Sequence, residues 1–225
     1  VGDNFHYRLY KKYVNRDSSF QGADDWETGK FGGRADWYIN TNDHLTLQGD
    51  MYGSGVPDYM GQTIRRSIPP VTTGPFTSGF SGPYTRDEDI NLYARGRNIL
   101  GRYTHNFNGN SEFTVQSYYD HTYLDDPLIA ETTDTYDVDA RLRFPFDYWV
   151  PQELLLGGGF RHTADKTRGT FDLSFDPANR NDTIVSWYAQ NELKLIENFM
   201  TGWIGSNFEH NTYTGFEYQP TARLA

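Results

Sequence analysis

The sequence predicts an all-β chain, an antiparallel up-and-down transmembrane β-barrel wall of about ten strands. Three observations predict it. Apolar and polar side chains alternate through most segments, which is the period of a strand whose two faces meet different surroundings. Short and longer connections alternate along the chain, as in a barrel with trimmed turns at one membrane face and elaborated loops at the other. Aromatic residues make up 16% of the chain, with 17 Tyr and 15 Phe among them, and suit rings gathered at two membrane–water interfaces.

The clearest strand covers 31–39, where Phe31, Gly33, Ala35, Trp37 and Ile39 share one face and Arg34 and Asp36 the other. A turn at Asn40-Thr41-Asn42-Asp43 leads to a second strand, with Leu45, Leu47, Gly49 and Met51 opposed to Thr46, Gln48, Asp50 and Tyr52, so the pair reads as a hairpin. The same unit recurs at 98–107 with 112–124, at 132–144 with 153–163, and at 183–195 with 199–210, and flanking strands cover 5–14 and 216–224. Short turns follow Asn40, Phe107, Phe146 and Ile196. The intervening links at 15–26, 53–90, 125–131 and 164–182 read as longer, and that at 211–215 as brief. A soluble sandwich has no reason to keep this asymmetry, because both of its ends face one solvent. Alternation taken alone fits the core of a soluble β-sandwich equally well.

Aromatics collect near the strand ends. Trp37, Phe107, Phe144, Phe146, Tyr148, Trp149 and Phe199 lie beside short turns, and Tyr13, Trp26, Tyr52, Tyr93, Tyr123, Trp187 and Tyr213 lie near the loop end. The polar parity carries Arg34, Asp36, Asp50, Arg102, Asp120, Asp137, Asp139, Arg141, Arg161, Gln190, Glu192 and Glu209. These are expected to face the lumen, where hydration or cross-strand pairing makes charge inexpensive; a sandwich core would charge several kcal/mol, roughly, for each unpaired one. Arg95 and Arg97 fall on the parity of Gly101 and Tyr103, which implies a bulge near 96–98 or a strand that has already left the membrane. Asn191 shares the parity of Val185, Trp187 and Ala189, and is expected near the interface at the short-turn end.

The formal charge of -10, from 30 acidic and 20 basic residues, argues against a nucleic-acid partner, which needs a clustered basic footprint. No apolar run approaches the ~20 residues of a spanning helix, and the mean hydropathy of -0.74 fits strands whose polar face dilutes an apolar one. There is no cysteine, so neither a disulfide scaffold nor a thiolate metal site is available. Val1-Gly2-Asp3-Asn4 is not a secretory leader, so the sequence reads as a mature protein or an internal fragment.

Several segments resemble the TonB-dependent outer-membrane receptor family: YRLYKKYVNRDS at 7–18, GGRADWYINTNDHLTLQGDMY at 32–52, NILGRYTHNF and SEFTVQSYYDHT within 98–122, WYAQNELKL at 187–195, and SNFEHNTYTGFEYQPTARLA at 206–225. The resemblance implies a 22-stranded barrel in the bacterial outer membrane, surrounded by lipid, holding its own plug domain and driven by the TonB complex. It further implies uptake of a ferric siderophore or similar nutrient, with no cofactor and no enzymatic activity. Residues 1–225 then read as part of the barrel domain, with plug and closing strands absent. A passive porin or small self-contained barrel, and a soluble all-β carbohydrate-binding module, are the competing readings.

The link at 53–90 far exceeds ordinary hairpin loops of about 2–5 residues. Its Tyr59, Arg65, Arg66, Phe76, Phe80, Tyr84 and Arg86 are candidates for gathering an anionic, partly aromatic ligand, with loop packing as the plainer role. Lys166 and Arg168, with Phe171 and Phe175, form a second loop candidate. His6, His44, His105, His121, His162 and His210 show no ligand spacing. Asp134, Asp137 and Asp139 fit alternate strand positions better than a cation loop, and Gly157-Gly158-Gly159 lacks the helix a phosphate cradle requires.

Overall fold

The computed structural model describes residues 2–18, 25–53, 59–67, 85–107, 110–170 and 173–225. Among these the chain forms β1 (Phe5–Arg16), β2 (Trp26–Tyr38), β3 (Asp43–Tyr52), β4 (Tyr59–Ser67), β5 (Thr85–Asn106), β6 (Glu112–Asp125), β7 (Ile129–Asp147), β8 (Pro151–Gly169), β9 (Asn179–Ile196), β10 (Met200–Asn211) and β11 (Gly215–Leu224), and no helix. All belong to one sheet. Its order β1-β2-β3-β5-β6-β7-β8-β9-β10-β11 follows the sequence, every pairing is antiparallel, and only β4 lies off the path.

The predicted hairpins are present and their turns are locally specified. Asn40 closes the first, its side-chain oxygen accepting from the amides of Asn42 (2.8 Å) and Asp43 (2.9 Å), which is the turn geometry asparagine favours. Asn198 takes a left-handed φ of 57° between β9 and β10, which asparagine tolerates better than most side chains. At the opposite end Asn211 accepts from the amides of Tyr213 (3.0 Å) and Thr214 (2.8 Å), and Gly215 supplies a φ of 79°.

A sandwich is excluded because the described residues form no second layer and no core. Ile90 is the one buried apolar side chain among the described residues, and no large side chain is fully buried. Trp37 and Leu47, which a sandwich would bury, are 44% and 48% exposed.

Four expectations about the connections need correction. The stretch 53–90 is not a plain loop: it contains β4, which pairs with the first part of β5 (Met60 opposite Leu92 through Ser67 opposite Thr85) and meets β2 at Trp26 and Glu27. Since β3 stops at Tyr52 opposite Gly96, β4 takes over the same lane between β2 and β5 further along the strands. The link at 125–131 is a tight turn, with reciprocal backbone bonds between Asp126 and Ile129 at 2.9 and 3.0 Å. That at 164–182 shrinks to 170–178 because β8 and β9 continue pairing to Lys166 opposite Asn179. Finally, no bulge occurs at 96–98, where the register of β5 with β3 and β6 is unbroken. In each case backbone pairing continues past the point where the apolar alternation fades, because a ladder bond does not depend on the side chain.

Candidate functional site

The register, unbroken except for a shift between Met200 and Thr201 in the β9–β10 pairing, assigns residues to a face. One face carries Tyr7, Leu9, Phe31, Trp37, Leu47, Met51, Ile99, Val138, Phe144, Leu156, Phe160, Val185, Ile204 and Tyr218, all of them exposed. Its rings form clusters: Tyr119 and Tyr136 lie 4.8 Å apart between centroids, and Trp187 stacks on Phe208 at 5.6 Å with Phe216 at 6.0 Å. So many large apolar side chains left exposed on one contiguous surface require a non-aqueous neighbour. An apolar depression of about 480 Å³ on this face, around Leu9, Gly33, Leu47 and Ile99, is continuous with that surface. Trp26 and Tyr52 do not join it; their parity places them on the other face.

The second face is a network of charges and amides. Arg34 pairs with Asp36 at 2.7 Å, and Thr46 donates to the same carboxylate at 2.7 Å. Lys30 at 3.1 Å, Tyr10 at 3.2 Å and Asn98 at 3.1 Å converge on Asp50. Further along, Arg102 donates to Gln116, Tyr118 to Asp120 (2.9 Å), Arg141 to Glu112 (3.5 Å), Arg143 to Glu153 (3.1 Å), Arg161 to Asp137 (2.9 Å), the Trp203 indole to Glu192 (2.9 Å), and Asn211 to Glu209 (3.0 Å). Asp139 lies beside Gly159 and Gln190 against Gly205. All twelve residues assigned to the polar parity therefore share one face. Tyr10 and Asn98 were missed, and Lys30, which alternation puts on the face of Arg34, was given no partner, although the hairpin registers bring all three to Asp50.

Tyrosines on this face lie flat over glycines of the neighbouring strand. A Cβ on Gly32 would fall 2.5 Å from the Tyr10 hydroxyl, and one on Gly96 2.5 Å from the Tyr52 ring; Gly157 is covered by Tyr188 in the same way. The glycine run at 157–159 thus serves close packing, as small residues on a strand allow.

The loop candidates divide. Tyr59, Arg65 and Arg66 belong to β4 and Arg86 to the first part of β5, where Arg65 stands opposite Asp87 and Arg66 opposite Arg86 in register. Phe76, Phe80 and Tyr84 lie outside the described residues, as does Phe171. Lys166 and Arg168 are not in a loop: both sit within β8, on the parity of Leu156 and Phe160. The three aspartates also separate, since Asp137 meets Arg161 on the polar face whereas Asp134 meets Tyr119 (2.7 Å) and His121 (2.8 Å) on the apolar one. Asn191 donates to Gln152 at 2.6 Å near the short-turn end of that face.

One sheet, apolar on one face and hydrophilic on the other, has the architecture of an antiparallel up-and-down transmembrane β-barrel wall. Siderophore receptors are among the solved structures that share this fold. The siderophore receptor PirA of Pseudomonas aeruginosa superposes with a TM-score of 0.71 at 12% identity, over 100% of this chain and 34% of that one. PirA of Acinetobacter baumannii gives 0.67 at 14%, over 99% and 36%. The ferripyoverdine receptor of the P. aeruginosa outer membrane, bound to ferripyoverdine, gives 0.61 at 14%, over 100% and 35%. The chain thus spans about a third of the length of each receptor it matches. No protein-family model matches the sequence, and no curated protein matches it.

Proposed function

We propose that this chain is part of the barrel domain of a TonB-dependent receptor that imports a ferric siderophore or similar iron complex across the bacterial outer membrane, and that it is not an enzyme. The observation that carries the reading is the division of one continuous sheet into an apolar face and a charge-laced face with no core between them. On this reading the laced face, from Arg34 and Asp36 to Glu209, lines the lumen against water and the receptor's own plug domain, and the apolar face meets lipid. The likeness of fold to siderophore receptors along the whole chain supports the choice of receptor over porin.

The β4–β5 hairpin is the proposed ligand-gathering element. It extends beyond the end of β3 and places Arg65, Arg66 and Arg86 close in register, a cationic group suited to an anionic chelate; Phe76, Phe80 and Tyr84 belong to the same connection. The test is growth under iron limitation by a strain whose only uptake route is the full-length protein. Growth is expected with the intact receptor and one or more added ferric siderophores, and is expected to be lost when 57–88 is replaced by a short Gly-Ser linker that leaves surface expression unchanged. Uptake that continues without energisation by TonB would instead identify a passive pore.

A further inference from the structure

Cations occur on both faces of the wall. On the polar face Arg34 is paired with Asp36, Arg161 with Asp137 and Arg143 with Glu153, and Arg102 donates to the Gln116 amide oxygen. On the apolar face, among the rings of the loop end, the register brings another set together. Arg95 stands opposite Tyr123, Tyr123 opposite Thr132, and Thr132 opposite Lys166. In the adjacent row Arg97 stands opposite His121. Neighbouring strands are about 4.8 Å apart, so Arg95 and Lys166 are separated by roughly 14 Å across one row, with Arg97 and His121 beside them.

Arg95, Arg97 and Lys166 are exposed, and none has a carboxylate within ion-pair distance among the described residues. Of the nearby acids, Asp134 accepts from Tyr119 and His121 and lies within electrostatic reach of Lys166, and Asp125 is 3.9 Å from Arg168. Directly on the hydrocarbon side lie Ile99, Val138, Phe160 and the Tyr119–Tyr136 pair. A chain of formal charge -10 therefore keeps cations with no direct carboxylate partner among the described residues at the level where an aromatic girdle marks the membrane interface. Long basic side chains there can lay their stems along the apolar surface and lift the charge to headgroup level.

We propose that Arg95, Arg97 and Lys166 form a binding site for the phosphate groups of anionic lipid headgroups on the outward face of the wall at the loop end. The inference rests on the transmembrane reading of this face and adds a specific lipid contact to it. It gives Lys166 and, at the edge, Arg168 a role in holding lipid in place of the ligand-gathering role suggested for a loop.

The test uses the full-length protein in a neutral detergent, with bound lipid counted by native mass spectrometry. Dioleoyl phosphatidic acid is expected to be retained and dioleoylglycerol, which lacks the phosphate, is not. Joint substitution Arg95→Gln, Arg97→Gln and Lys166→Gln is expected to weaken retention by on the order of fivefold for each cation removed. The same change of charge on the polar face, at Arg8, Lys12 and Lys194, is expected to leave retention intact, and Arg95→Lys with Arg97→Lys is expected to preserve it. Excess inorganic phosphate is expected not to displace the lipid. Equal retention of the two lipids, an unaffected triple Gln variant, or displacement by free phosphate overturns the site. Protease protection in vesicles reads membrane insertion separately, so a protein that inserts without this preference loses the lipid site and keeps the transmembrane reading.

Discussion

Asp182 lies beyond the apolar rows of β9, past Val185, where the wall rises out of the membrane. Tyr213 donates to it at 2.5 Å and Thr212 at 3.2 Å, while Arg180 approaches at 3.2 Å and rests 4.1 Å from the Tyr213 ring centroid. The Tyr213 hydroxyl above all, aided by Thr212 and Arg180 and opposed by partial burial, holds the Asp182 carboxyl below the usual carboxylate range. A lowered folded-state value means that its stabilising contribution is present above the unfolded value of about 3.9 and disappears as pH falls through the folded one. The thermal midpoints of the wild type and Asp182→Asn are therefore expected to differ at pH 7 and to converge as pH falls below the folded-state value. Residue placement was the part most legible in the sequence, because a period of two fixes the face once one position is known: the charged positions from Arg34 to Glu209 needed only counting. Partners such as Lys30 for Asp50 demanded the register as well, which comes from turn geometry and not from alternation.

Strands differ in how closely their backbones approach, and glycines record where. A Cβ on Gly49 would lie 2.7 Å from the Asn98 carbonyl oxygen of β5, whereas one on Gly101 meets only the Leu47 side chain at 3.5 Å. Gly49→Ala must move a strand and is expected to destabilise by about 1–3 kcal/mol. Gly101→Ala is expected to be neutral or to stabilise by about 0.5–1 kcal/mol, since it removes a flexible strand residue without a clash. Urea midpoints of the two variants in the full-length protein check both. At this scale the sequence was less informative. β4 carries no clean alternation, so it passed for loop; β5 runs 22 residues, well past the ~9 to 11 that a membrane crossing needs. For the same reason the parity of Arg95 and Arg97 left two readings open, a bulge or a strand already out of the membrane, and the unbroken register of β5 removes the first. Both arginines are correctly outward on a strand that has left the hydrocarbon behind.

The sheet as a whole takes its stability from contrast between its surroundings. Leu156 is 38% exposed on the apolar face with Gly158 and Phe160 following on the same parity. Leu156→Arg in the intact protein is expected to cost about 2–4 kcal/mol in phospholipid bilayers. The same substitution is expected to be close to neutral at the polar-face position Gln190. Equilibrium unfolding of the two variants in vesicles decides whether hydrocarbon covers the predicted face; equal losses would remove the transmembrane assignment. The asymmetry of the turns and the wealth of aromatics made the wall recognisable from sequence, while β4, which leaves no periodic trace, and the cross-strand alignment of Lys166 with Arg95 required coordinates.

A protein with no buried heart cannot protect its fold from its environment. Here almost every described side chain is at least partly exposed, so on the transmembrane reading the thickness of the surrounding bilayer acts on this wall much as packing quality acts on a water-soluble domain. Thinning or thickening that layer by a few carbon atoms would shift which rows are wetted. The host membrane is in that sense half of the folded structure.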